Sequence, residues 1–225
     1  MKIAVIPDIH GHLTQLRALL KAIGPCGAGR SIVQLGDFID RGPDSRGCVE
    51  LLKALQAKSP DRFVVLKGNH EAMLTSSDRD ASALALWMGN GGIATLRSYG
   101  PDFGALCRAR GPHKAWMEDL PLSWELHGVL FCHAGLSRSN VKKMDPESLL
   151  WTRPPLTRGP FRAVVCGHSP TTSGRVEHRN GVFRCDLGLG HRQPGQLEYL
   201  EIDLGPLALS WKVIPISSPP SVISG

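Results

Sequence analysis

Short apolar runs closed by glycine or by a metal-type ligand recur along the chain. They are Ile3-Ala4-Val5-Ile6, Ile32-Val33-Gln34-Leu35, Phe63-Val64-Val65-Leu66, Val129-Leu130-Phe131-Cys132 and Ala163-Val164-Val165-Cys166. Runs of this length, rich in β-branched residues, predict buried strands. Between the first three the period changes to that of a helix. Leu16, Leu19, Leu20 and Ile23 share one face of a segment from about Leu13 to Ile23, which Gly24, Pro25, Gly27 and Gly29 end. Val49, Leu52 and Leu55 do the same from about Ser45 to Ala57, and a further helix opens at Glu71. Alternation of strand and helix predicts parallel pairing with right-handed crossovers.

From about Ala81 to Leu120 the pattern is helical: Ala83 to Met88, the stretch around Thr95-Leu96, and His113 to Leu120. Gly89, Gly91-Gly92 and Gly100-Pro101 interrupt it. This reads as a small helical insertion. Strands dominate afterwards, at about 122–126, 129–132, 163–166, 182–185, 197–203 and 208–214, with a turn at Asn180-Gly181. The expected architecture is α/β, with two packed sheets and helices outside. It forms one domain over 1–216, followed by a loose Ser/Pro/Gly-rich tail over 217–225.

Composition narrows the function classes. At 225 residues, 42% hydrophobic and 20% charged, the chain suits a single globular core. The apolar stretch at the start is too short for a signal peptide, and no segment is long enough to span a bilayer. A cytoplasmic protein with no membrane partner is expected. The six cysteines are scattered without a C-x-x-C pair, so a disulfide framework is not expected. Cys132, Cys166 and Cys185 read as small buried hydrophobes. The net charge of +6 favours an anionic substrate or partner. Without a dense Lys/Arg run or interleaved aromatics, no stable nucleic-acid complex is expected.

The candidate chemistry lies where the apolar runs end. Asp8 and His10 follow the first, Asp37, Asp40 and Arg41 the second, Asn69, His70 and Glu71 the third, His133 the fourth and His168 the fifth. In open α/β sheets, loops leaving the carboxyl ends of strands gather in one crevice where ligands bind. Two Asp, one Asn and three His would then converge. Such a donor set, without thiolate, suits Mn²⁺, Fe or Zn²⁺ better than Ca²⁺ or Mg²⁺ alone.

These clusters carry a resemblance. Asp8-x-His10-Gly11, Gly36-Asp37-x-x-Asp40-Arg41-Gly42, Gly68-Asn69-His70-Glu71, His133-Ala134-Gly135 and Gly167-His168 resemble the signature set of the phosphoprotein phosphatases. Those belong to the calcineurin-like metallophosphoesterases, and the order and spacing match from Lys2 to about Gly190. The compact length, Leu149-Leu150-Trp151-Thr152-Arg153 and Gly89-Asn90-Gly91-Gly92 resemble the short bacterial and phage-type serine/threonine protein phosphatases. The chain is also similar to the symmetrical diadenosine tetraphosphatases.

The resemblance implies two packed mixed β-sheets flanked by helices, and two divalent ions, Mn²⁺ first with Fe or Zn as alternatives. Asp8, His10 and Asp37 would hold one ion, and Asp37, Asn69, His133 and His168 the other. An ion-activated hydroxide would attack phosphorus in line. His70, oriented by Asp40, would protonate the leaving alkoxide, and Arg41 and Arg153 would grip the phosphate. Phosphorylated proteins or peptides are the implied substrates, with dinucleoside polyphosphates or RNA 5′ ends as the alternative. A non-catalytic binding module would not need His70, Asp40 and both arginines.

Other residues have plainer readings. Trp151 reads as core, Arg97 as a solvated charge, and Glu71 as a helix N-terminal charge or a group behind the site. His12, His113, His127, His178 and His191 match no ligand position and read as structural or exposed. Pro7 stands where glycine is usual and Ser169 where threonine is, and 186–191 lacks the small glycine-rich run expected near such a site.

Overall fold

β1 (Lys2–Ile6) is buried on both faces, which places it at the centre of a sheet rather than its edge. Ile3 and Val5 pack into the layer between two sheets, while Ala4 and Ile6 face the helices on the other side. The alternation is the two-residue period of a strand expressed as two separate cores. The structure is a computed structural model that describes residues 1–101, 104–109, 111–191, 196–205 and 208–216. The tail expected over 217–225 lies outside them.

After β1 come α1 (Leu13–Ile23), β2 (Arg30–Gln34), α2 (Ser45–Lys58), β3 (Phe63–Val65) and α3 (Asn69–Ser76). Asp44 caps α2, its Oδ1 accepting from the Gly47 N–H at 2.8 Å. A helical stretch follows, with α4 (Ala81–Trp87), α5 (Ile93–Tyr99), α6 (Gly104–Ala109) and α7 (Pro112–Glu118). Gly89, Gly91 and Gly92 interrupt the helical stretch as expected. Gly91, left-handed at φ 107°, sets a kink between α4 and α5.

The second half contains β4 (Ser123–Leu126), β5 (Val129–Cys132), α8 (Pro146–Trp151), β6 (Ala163–Cys166), β7 (Glu177–Arg179), β8 (Val182–Arg184), β9 (Leu197–Leu204) and β10 (Leu209–Ile216). Hydropathy gave no sign of α6, α8 or β7. β7 is the polar run Glu177-His178-Arg179. It pairs only because Asn180 and Gly181, both left-handed at φ 51° and 76°, close a hairpin onto β8.

The two sheets are mixed, ordered β10-β9-β1-β2-β3 and β4-β5-β6-β8-β7. β1, β2 and β3 run parallel, as do β5, β6 and β8, with the remaining pairs antiparallel. Val33, Phe131, Val165, Phe183, Leu200 and Ile202 help fill the space between the sheets. Each such fully buried side chain contributes roughly 1.5–3 kcal/mol by leaving water. α1 and α2 cover the outer face of the first sheet. Leu149 of α8 packs on Leu130, Cys132 and Val164 outside the second. Among the described residues, no helix is long and apolar enough to cross a membrane.

Candidate metal centre

The carboxyl ends of β1, β2, β3, β5 and β6 carry the loops that hold the candidate residues. Several of these residues are forced into left-handed backbone: His10 (φ 45°), Asp37 (54°), Asp40 (70°), Arg41 (68°) and His168 (64°). Side chains normally avoid that region, at a cost of about 1–3 kcal/mol each, so neighbouring structure must hold them there. Glu71 supplies much of the hold. Fully buried, its carboxylate accepts from the N–H groups of Asp37 (2.8 Å), Phe38 (3.0 Å), Ile39 (3.3 Å) and Gly68 (2.8 Å). Burial, then the Asp37 charge, push Glu71 up to about 7, and those backbone bonds oppose the rise. Gly36 and Gly68 bring the second and third loops into contact. A Cβ on Gly36 would lie 2.7 Å from the Gly68 Cα, and one on Gly68 would collide with the Asp37 carboxylate.

Asp37 sits between two groups of donors. Its Oδ2 is 3.7 Å from His10 Nε2 and its Oδ1 is 3.4 Å from His133 Nε2. Donor atoms of His10, Asp37 and His70 lie within 4.8 Å of one another, as do those of Asp37, His133 and His168. Asn69 joins the second group, its Oδ1 being 2.9 Å from both His133 Nε2 and His168 Nδ1. Asp8 stands beside both groups rather than inside either, and its Oδ2 accepts from the His168 N–H at 3.0 Å. A Cβ on Gly167 would run into Asp8 Oδ1, so the close approach of the first and last loops requires glycine.

The tautomers follow from the backbone. His10 Nδ1 donates to the Ile39 carbonyl (3.1 Å) and His133 Nδ1 to the Leu35 carbonyl (2.9 Å), which turns both Nε2 atoms toward the cluster. Burial drives His10 well below its usual range. Burial, helped by the charge of His133, takes His168 down to about 3. Both imidazoles therefore offer lone pairs. Burial works against a charged His133, but the Asp37 carboxylate outweighs it and pushes the group up to about 10. Asp37 itself is buried, yet His133 and His70 hold it well below the carboxylate range. A field that draws a proton this strongly will draw a divalent cation too. Asp8 Oδ1 and His168 Nε2 are buried without a hydrogen-bond partner. Orphaned acceptors beside a hard carboxylate and neutral imidazoles fit a pair of divalent ions.

His70 and Asp40 form a separate unit. His70 Nδ1 donates to Asp40 Oδ2 at 2.7 Å. Asp40 Oδ1 accepts from Thr95 Oγ1 at 2.6 Å, and Trp87 Nε1 donates to both Asp40 oxygens at 3.1 Å. Burial disfavours a charged His70, but Asp37 and Asp40 outweigh it and raise its proton affinity. The sequence reading reached His70 and Asp40 but not Trp87 or Thr95, which come from the helical stretch and carry no motif.

The arginines differ. Arg41 Nη1 lies 2.6 Å from His10 Nε2 and 2.7 Å from His191 Nε2, donating to both. Arg153 is exposed, and its charge adds to the downward push on His168 and His191. His191 is a partner of Arg41, and Gly190 makes room for it, since a Cβ there would stand 2.9 Å from His10 Cβ and 3.1 Å from Arg41 Cβ. The 186–191 turn thus presses on the site. Trp151, expected in the core, is 39% exposed and edge-on to His168 at 6.1 Å, because it lies about 200° around α8 from Leu149, whose face packs on the sheet. Buried Asp186, pushed up to about 6 chiefly by burial, adds a carboxyl whose charge bears on Asp8.

A profile of the family Calcineurin-like phosphoesterase matches residues 1–191. The chain is 31% identical over 158 residues to a serine/threonine-protein phosphatase 1 of Salmonella typhimurium, covering 66% of this chain and 67% of that protein. A protein serine/threonine phosphatase from Saccharomyces cerevisiae superposes with a TM-score of 0.66 at 18% identity, covering 98% of this chain and 82% of the other. A protein provisionally described as a diadenosine tetraphosphatase does so with a TM-score of 0.58 at 21% identity, covering 95% and 93%. At these identities the two structures speak for the fold alone.

Proposed function

The chain belongs to the calcineurin-like phosphoesterases, and we propose that within this family it removes phosphate from phosphoserine and phosphothreonine in proteins. The observation that carries the reading is the buried His70–Asp40 pair standing 3.9 Å from the Asp37 carboxylate. A serine or threonine alkoxide is a poor leaving group and needs a proton as it departs, whereas a nucleotide phosphate leaves readily without one. A positioned acid typically contributes 10²–10⁴-fold, so a dedicated dyad favours the ester. The likeness to the Salmonella typhimurium serine/threonine-protein phosphatase supports the same substrate class.

In this reading Asp8, His10 and Asp37 would hold one divalent ion, and Asp37, Asn69, His133 and His168 would hold a second. Manganese fits the donors best, with iron or zinc as alternatives. When bound, the ions supply Lewis acidity and an activated water. The protein's own groups do the rest. Asp40 fixes the His70 ring through Nδ1, leaving Nε2 to carry the proton to the leaving oxygen. Trp87 and Thr95 keep Asp40 from rotating. Arg41 and Arg153 neutralise the non-bridging phosphate oxygens, for which a guanidinium fork is the matching shape. Cys26, Cys48, Cys132, Cys166 and Cys185 are free thiols, and all but Cys26 are buried, which supports a cytoplasmic setting.

With Mn²⁺ present, the purified protein should hydrolyse a phosphoserine peptide. His70→Asn should lower kcat by about 10²–10⁴-fold with the far-UV spectrum unchanged. Diadenosine tetraphosphate, assayed alongside, separates the alternative. If it is strongly preferred and its turnover survives His70→Asn, the nucleotide reading replaces this one.

A further inference from the structure

A cavity of about 740 Å³ opens beside the metal centre, between the loop after β5 and the residues after α8. Arg138 and Arg153 line it together with the polar groups of Ser137, Ser139, Asn140 and Thr152. Pro155 and Leu156 supply its apolar part, and no acidic residue lines it. Both arginines are exposed, and among the described residues neither guanidinium makes a hydrogen bond or an ion pair. Two uncompensated cations in one concave polar cavity create a local positive potential that favours an anion.

The walls are fixed in advance. Asn140 Nδ2 donates to Thr152 Oγ1 at 2.5 Å, and the Ser137 N–H donates to Asn140 Oδ1 at 2.8 Å, which ties the two walls together. The Ala134 N–H donates to the Leu149 carbonyl (2.9 Å) and the Thr157 N–H to the Leu136 carbonyl (2.8 Å), anchoring both walls to the strand that carries His133. Thr152 and Arg153 directly follow Trp151, whose ring stands edge-on to His168 at 6.1 Å, so one end of the cavity adjoins the metal centre. Arg138 lines the opposite wall, on the loop after β5.

We propose that this cavity is a specificity subsite: Arg138, across the cavity from Arg153, takes a second anionic group on the same peptide, flanking the phosphorylated residue. The inference rests on the phosphoprotein reading above. The second anion is either the carboxylate of an Asp or Glu side chain or a second phosphate, since a guanidinium serves both. Pro155 and Leu156 give the intervening peptide an apolar surface to lie on.

The test uses phosphoserine peptides in which each flanking residue in turn is Asp, a second phosphoserine, Ala or Lys, assayed with the Mn²⁺-loaded protein. At one or more positions the wild type should favour the anionic over the Lys-flanked peptide by about tenfold in kcat/KM, expressed in KM. Comparison of the Asp and phosphoserine peptides tells which anion is read. Arg138→Glu should abolish or invert the preference, and Arg138→Gln, a milder change should the first misfold, should reduce it. Raising ionic strength should shrink it in the wild type. Equal kcat/KM for Asp-, phosphoserine- and Lys-flanked peptides at every position would overturn the subsite while leaving the phosphatase reading intact. So would a preference unchanged in both variants. No hydrolysis of any phosphopeptide, with diadenosine tetraphosphate turned over, would overturn the substrate reading and the subsite with it.

Discussion

Arg41 is held from two sides, by His10 Nε2 and by His191 Nε2, and these partners are not equivalent. In the proposed function the His10 lone pair serves a divalent ion, so His191 is the partner that stays with Arg41 under turnover conditions. As an acceptor from a guanidinium, His191 must be neutral at Nε2. Burial and the Arg41 charge both lower its proton affinity, which keeps it so. His191→Ala should therefore leave Arg41 mobile and raise KM for a phosphopeptide by about tenfold, with kcat changed much less. Steady-state kinetics check this, and His191→Gln, which retains an acceptor, should restore part of the loss. An unchanged KM in His191→Ala would show that Arg41 orders itself.

Among the elements, α3 does the most positioning per residue. Asn69, His70 and Glu71 occupy its first turn, where successive side chains diverge by about 100°. Asn69 reaches His133 and His168, His70 reaches Asp40, and Glu71 turns back under the Asp37 loop. One helix start thus serves three neighbours. The segment from α4 to α5 serves a fourth, since Trp87 and Thr95 both bond Asp40 and the Gly91 carbonyl accepts from the Arg41 N–H at 3.2 Å. Removing the Glu71 carboxylate would strand four buried N–H donors. Glu71→Ala should lower unfolding stability by about 3–5 kcal/mol, seen as an earlier urea midpoint, and Glu71→Gln by less. An unshifted midpoint for Glu71→Ala would mean the left-handed loop holds without its brace.

At the scale of the molecule, two sheets meet along a shared apolar layer, and every proposed ligand stands at the end of a strand that contributes to it. The first sheet supplies Asp8, His10, Asp37 and Asn69, and the second supplies His133 and His168. Ions bound between them would therefore tie one sheet to the other and stabilise the fold through linkage. Dialysis against a chelator should lower Tm by about 5–10 °C, and adding back Mn²⁺ should restore it. Scanning calorimetry checks this. A Tm indifferent to both treatments would refute ion binding between the sheets.

The chain alone determined the strands that end in Asp8, Asp37, Asn69, His133 and His168. A buried strand announces itself by apolar runs, and a metal ligand by its residue type beside a glycine. The pairing of His70 with Asp40 was implied only by the family resemblance those clusters carry. Tertiary structure alone decided what surrounds them. Trp87 and Thr95 look like ordinary helix residues, His191 like a structural or exposed histidine and Trp151 like core, while Glu71 reads equally as a helix-start charge or a group behind the site. Their roles arise only when elements distant in sequence pack together, and hydropathy encodes which face of an element is buried, not what it is buried against.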